Sequence, residues 1–175
     1  MKQINEEVFF PDQEIVRVDR SEIEALQKQA LTAKRRRSRL CTHRDVSDSL
    51  HEMLIVHPEN TYVRPHKHLG KPESFHIITG TLSVIIFDED GNITEIIPMG
   101  DYSSGQNFYY RIPDPLYHTV MITSEIAVFH ESTTGPFKRS DTIFAPCTQD
   151  PFILSAPCTQ APATGFFLGV SGGFC

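Results

Sequence analysis

Hydrophobic positions in this chain fall into one helical stretch followed by a long series of strand-length runs. Ile23, Leu26, Ala30 and Leu31 recur at helical spacing, which predicts a short amphipathic helix over residues 22–34. Ser21-Glu-Ile-Glu24 fits a capping box ahead of it, with the serine as N-cap. Lys34, Arg35, Arg36 and Arg37 follow where cations favour a helix C-terminus. Residues 1–19 read as an extended lead-in containing a short strand over 14–18. From Arg37 the period becomes two. Arg37, Arg39, Cys41 and His43 alternate with Ser38, Leu40 and Thr42 and so share one face. Strand-length runs follow at 52–56, 61–68, 73–87, 93–97, 108–112, 116–122 and 126–130. Turn formers separate them, among them Asp88-Glu-Asp-Gly91, Pro98-Met-Gly-Asp101 and Ser103-Ser-Gly-Gln106. Short strands with regularly placed turns predict a mainly β protein, a sandwich or a barrel.

The chain divides into a lead-in with the helix (1–36), the strand-rich body (37–146) and a tail (147–175). The tail is poor in charge, rich in Pro and Gly, and carries neither period; its Ala156-Pro-Cys-Thr-Gln160 repeats Ala145-Pro-Cys-Thr-Gln149, too short a unit to be architectural. With 39% hydrophobic and 22% charged residues the 175-residue chain has ordinary globular composition. A formal net charge of −6 argues against nucleic acid as a main partner. No apolar run approaches the roughly 18 residues that span a membrane, and Met1-Lys-Gln-Ile-Asn-Glu-Glu7 does not start a secretory signal, so a cytoplasmic protein is the default expectation. Cys147, Cys158 and Cys175 are too far apart for a metal knuckle, and Cys41 reads as a small buried residue.

The chemistry concentrates in His66-Lys-His68-Leu-Gly-Lys-Pro-Glu73. On a strand, residues i and i+2 point the same way about 6–7 Å apart, so His66 and His68 can converge on one ion. The Gly-Pro turn then brings Glu73 back towards the same point. Pro113-Asp-Pro115-Leu-Tyr-His118 is a tight turn into the apolar run 119–122 and offers His118 as a fourth ligand. Three neutral imidazoles and one carboxylate suit Fe, Mn, Ni, Co or Zn as a divalent ion. An octahedral ion would keep open positions, whereas tetrahedral zinc would be closed by these four ligands.

The spacing H-x-H-x4-E-x6-G from His66 to Gly80, followed by P-x-x-x2-H at His118, resembles the two-part signature of the cupins, small metal-binding jelly-roll β-barrels. Asn60 stands where that signature usually opens on glycine, and Pro115 where its second part has glycine. Arg35-Arg-Arg37-Ser-Arg39-Leu-Cys41-Thr-His43, Tyr62-Val-Arg64-Pro-His66, Phe108-Tyr-Tyr-Arg111-Ile-Pro113 and Phe129-His-Glu131 narrow the likeness. Together they resemble the WbuC family of cupin metalloproteins over roughly residues 5–146. The resemblance implies a cupin barrel with an N-terminal helix, a divalent transition metal held by His66, His68, Glu73 and His118, and a place in bacterial lipopolysaccharide O-antigen biosynthesis. If the protein is an enzyme, isomerase, epimerase and oxygenase chemistries are all compatible with it. A non-catalytic ligand-binding or sensing module is the alternative. The expected ligand is a small polar or anionic sugar-type molecule; a homodimer is a compatible assembly, since cupins often dimerise.

Tyr62 shares strand parity with His66 and His68, as does Arg64. Tyr62 and His130 are the candidate pocket acids or bases, and Arg37, Arg39, Arg64 and Arg111 the candidate guanidinium forks for an anion. His76, of opposite parity to Glu73, should face away. The tail reads as loosely held, the competing expectation being that Phe166-Phe-Leu-Gly-Val170 docks on the barrel or on a partner's sheet edge. Truncation after Pro146 is therefore expected to leave metal content and thermal stability nearly unchanged, as elemental analysis and thermal unfolding would show.

Overall fold

A computed structural model of the chain describes residues 1–113 and 115–146; the tail, with Cys147, Cys158 and Cys175, lies outside the described residues. In chain order the elements begin with β1 (Lys2–Gln3), β2 (Val8–Phe10), α1 (Arg20–Thr32), β3 (Ser38–Cys41), β4 (Leu50–Pro58) and β5 (His66–His68). They continue with β6 (Glu73–Thr79), β7 (Thr81–Phe87), β8 (Ile93–Gly100), β9 (Tyr109–Ile112), β10 (Tyr117–Ile122), β11 (Ile126–Thr134) and β12 (Thr142–Phe144). Seven strands form one sheet in the order β1-β2-β3-β4-β11-β6-β9, and five form the other, β12-β5-β10-β7-β8. Apart from the parallel pair β2–β3, the strand pairs are antiparallel. The two sheets face one another as a jelly roll, the layout expected when alternating strands must bury one face each.

The inner faces form a core of Phe75, Ile77, Leu82, Val84, Met99 and Phe129, among others, each 5% exposed or less. Burying a side chain of this size is worth about 1.5–3 kcal/mol. A second cluster lies outside the seven-stranded sheet, where α1 sets Leu26 and Ala30 against Leu40, Val56 and Val128. Ser38 Oγ also donates to the Leu26 carbonyl at 2.7 Å. Parity on β3 therefore follows the pattern: Leu40 points to the helix, and Arg39 and Cys41 point inward.

Helix α1 starts earlier than its sequence suggests. Asp19, not Ser21, is the N-cap; its carboxylate accepts from the Ser21 and Glu22 amides, and Glu22 Oε2 accepts from the Asp19 amide at 2.7 Å. The helix ends at Thr32 with no basic residue in its last turn, and Leu31 is 52% exposed. The cationic run lies beyond it, where Glu7 takes up Arg37 at 2.8 Å and Arg35 at 3.8 Å. Residues 14–18 form no strand, because β2 takes the place beside β3. Residues 61–65 are likewise irregular, Asn60 turning the chain at φ 64 and Pro65 offering no amide.

The run 73–87 is two strands in different sheets. At Gly80, φ 81, the chain passes from β6 to β7, and a Cβ there would lie 2.2 Å from the Ile126 carbonyl oxygen. Only glycine meets both conditions. Gly80→Ala is expected to cost at least about 2 kcal/mol, read as a lower urea midpoint with unchanged m-value.

Candidate metal centre

The centre is built across the gap between the two sheets. His66 and His68 lie on β5, and His118 on β10 sits directly opposite His66. Glu73 opens β6 in the other sheet. The ring centroids lie 4.8 Å (His66–His68), 4.7 Å (His66–His118) and 5.8 Å (His68–His118) apart, and the three candidate nitrogens fall within 4.8 Å of one another. Imidazoles sharing an ion at about 2.1 Å hold their nitrogens about 3–4 Å apart, a small contraction from this arrangement. The three histidines can therefore hold a divalent metal.

Their far nitrogens are anchored. His66 Nδ1 lies 2.8 Å from the Arg64 carbonyl and His118 Nδ1 lies 3.0 Å from the Leu116 carbonyl. A carbonyl only accepts, so each Nδ1 carries a proton and, in the neutral ring, leaves the Nε2 lone pair facing inward. His68 Nδ1 shares a hydrogen bond with Thr142 Oγ1 at 3.2 Å. Glu73, 3% exposed, approaches two of the three, with Oε1 3.2 Å from His118 Nε2 and Oε2 3.4 Å from His68 Nε2. The Glu73–His118 contact is close but does not meet hydrogen-bond geometry. Glu73 Oε1 and His118 Nε2 are both buried without a hydrogen-bond partner. Two orphaned buried donor atoms aimed at one point are what a bound cation would satisfy.

The electrostatics agree. Burial pulls the His66 imidazole down to about 4, with His118 adding to the effect. Burial opposes the charge on His118 as well, but there the Glu73 carboxylate prevails and the net shift is upward. For Glu73 burial would raise the carboxyl, and the His118 and His68 contacts overcome it, so the carboxylate stays ionised far below its ordinary range.

The centre opens into a cavity of about 460 Å³ lined also by Arg37, Arg39, His57 and Glu131. Arg37 and Arg39 thus stand on it, as does Glu7, the carboxylate of the Arg37 ion pair. The other proposed residues do not. Arg64 packs over the Phe144 ring at 4.5 Å, and Tyr62 is half-buried, both away from the cavity lining. Arg111 is exposed, since on β9 it is Tyr110 that points inward. His130 lies opposite His76 on the outer face of its sheet, 3.7 Å from the Glu52 carboxylate. His76 is exposed, as its parity predicts.

Glu131 is the residue that sequence reasoning missed. It shares an inward row with Cys41, Met53, Phe75 and Tyr110. Burial raises its carboxyl well above the ordinary value and the charge of Glu73 adds to this, so the proton-bearing form is favoured even though Arg39 pulls the other way. The signal was Phe129, two residues earlier on an inward position, but the predicted strand stopped at residue 130. His57 is 7% exposed on the cavity wall, its Nδ1 without a hydrogen-bond partner. Burial, with Arg37 and Arg39 nearby, lowers its imidazole to about 3.

Comparison with known proteins bears on the fold. A family model described as a domain of unknown function, DUF6016, matches residues 18–99, a stretch that includes His66, His68 and Glu73. No curated protein matches the sequence. Among solved structures, protein SO0799 from Shewanella oneidensis is similar at TM-score 0.50 and 11% identity, over 61% of this chain and 72% of that one. CapF, solved with 3-isopropenyl-tropolone, is similar at TM-score 0.52 and 17% identity, over 65% of this chain and 32% of CapF. The cupin domain of Schizosaccharomyces pombe Cnp3 gives TM-score 0.44 and 14% identity, over 58% of this chain and 66% of that one. The chain has a cupin-type jelly-roll fold.

The buried imidazole at position 57 makes stability depend on pH. Its folded-state value of about 3 lies below the ordinary 6.5, so unfolding takes up a proton in acid. The stability involved is fully present above about pH 6.5 and is lost as pH falls towards 3, at up to roughly 1.4 kcal/mol per unit. In urea unfolding of chelator-treated protein, His57→Leu is expected to lose less stability than wild type between pH 7 and 4.5.

Proposed function

We propose that this protein is a metal-dependent cupin that acts on a small anionic molecule in the cavity behind His66, His68, Glu73 and His118. The observation that carries the reading is the convergence of three imidazole nitrogens within 4.8 Å beside the orphaned oxygen of Glu73. When bound, a divalent ion supplies Lewis-acid polarisation of a carbonyl or hydroxyl oxygen. Glu73 supplies the one anionic ligand, so the set leaves about one net positive charge for a substrate oxygen. Glu131, with its proton favoured, is placed to donate it towards the same cavity.

The WbuC resemblance suggests the substrate class, a nucleotide sugar or sugar phosphate, and a role in bacterial O-antigen or other polysaccharide biosynthesis in the cytoplasm, with a homodimer as a compatible assembly. A second reading, a ligand-binding or sensing module without turnover, is favoured by one observation: Tyr62 and His130, the acid–base candidates read from sequence, stand off the cavity. A turnover screen on nucleotide sugars with metal-loaded protein separates the two.

Anaerobic purification followed by elemental analysis is expected to find about one transition-metal ion per chain. His66→Ala or His68→Ala should lose most of it. Wild-type protein without stoichiometric metal would sink the reading, and retention by His118→Ala alone would trace the fault to the Pro115 turn.

A further inference from the structure

We propose that the end of the cavity away from the metal centre is an anion subsite, in which Arg39 and His57 hold a phosphate or carboxylate group while Glu7 keeps Arg37 at its edge. This deepens the functional reading above and rests on it only in placing the ligand in this cavity.

Strand register fixes where the subsite lies. Arg39 is opposite Ile55, Ile55 opposite Phe129, and Phe129 opposite Ile77. Ile77 and Glu73 share β6, so the backbone at Arg39 is two inward rows from the metal centre, about 13 Å along the strand. His57 is one row further, on β4. The cavity is lined by residues from both ends.

The charges are unequal in use. Arg37 is paired to Glu7 at 2.8 Å, which also takes Arg35 at 3.8 Å. Arg39 is exposed at the cavity wall, and no carboxylate forms an ion pair with it among the described residues. The nearby Cys41 thiol and Glu131 carboxyl feel its charge, and neither forms an ion pair with it among the described residues. One guanidinium fork is therefore left uncompensated beside an interior cavity, the arrangement that takes up a planar or tetrahedral oxyanion.

His57 supplies the independent observation. Its ring is held edge-on to Phe129, centroids 5.4 Å apart, and its buried Nδ1 has no partner. An unpaired buried nitrogen beside two guanidiniums is costly unless a group arrives to pair with it. An oxyanion held by Arg39 brings that group, and the imidazole, kept uncharged by its surroundings, hydrogen-bonds it without a charge change. The ligand class follows: an extended molecule with a metal-binding oxygen at one end and a phosphate or carboxylate two rows away. A short-chain acid cannot touch both ends.

Titration calorimetry on the chelator-treated full chain, with inorganic phosphate and pyrophosphate as probes, tests this. Wild type is expected to bind pyrophosphate; Arg39→Gln, at an exposed position, should weaken it about tenfold, and His57→Leu should weaken it too. Glu7→Gln should tighten binding by freeing Arg37, a gain that a merely structural role would not give. His66→Ala/His68→Ala should lose metal yet keep anion binding, which separates failure of this subsite from failure of the metal reading. Unchanged affinity in Arg39→Gln, no binding of either anion by folded wild type, or anion binding abolished only in His66→Ala/His68→Ala would overturn the proposal.

Discussion

An ionised carboxylate buried to 3% exposure is the constraint around which the rest is arranged. Taking Glu73 out of water is costly unless positive charge or proton donors meet it. The fold prepares for that demand from the opposite sheet by setting the Nε2 atoms of His118 and His68 3.2 and 3.4 Å away, where a cation shared with the imidazoles would supply the positive charge. Because β6 belongs to one sheet and β5 and β10 to the other, the compensation also ties the sheets together at this end. The carbonyls of Arg64 and Leu116 then fix which imidazole nitrogen faces inward.

Much of this was legible in the chain, and the limits are physical. The H-x-H pair, the Gly-Pro turn and Glu73 are local features whose geometry follows from strand pitch and turn chemistry. His118 joins them despite Pro115, because its register opposite His66 is set by the strand and not by the turn alone. The helix was found but its cap was misplaced: Asp19-x-x-Glu22 and Ser21-x-x-Glu24 both fit a capping box, and local pattern cannot choose between them. What failed was long-range. Nothing near residues 8–10 announces a parallel partner at β3. On β11 both faces are apolar, since Val128 meets the helix and Phe129 the core. The alternation that would have shown Glu131 inward and His130 outward is therefore masked.

The four arginines divide by what surrounds them. Arg111 and Arg64 are placed by strand direction and by a ring outside the cavity, Arg37 by Glu7. Arg39 alone combines the inward position with the absence of a carboxylate ion pair among the described residues. Composition could not have separated them, because all four are the same residue on strands or at their edges. Their neighbours come from elements far away in sequence.

The helix explains how a small barrel tolerates such an interior. With Leu26 and Ala30 closing over Leu40, Val56 and Val128, the seven-stranded sheet owes part of its cohesion to its outer surface. The inner surface is correspondingly relieved of having to be oily throughout, and can carry Arg39, His57, Glu73 and Glu131 where most sandwiches place leucine. Loosening α1 would then be felt first at the hearth of the barrel: the wall that holds Arg39 and His57 would lose its backing while the ligand strands on the other sheet kept theirs.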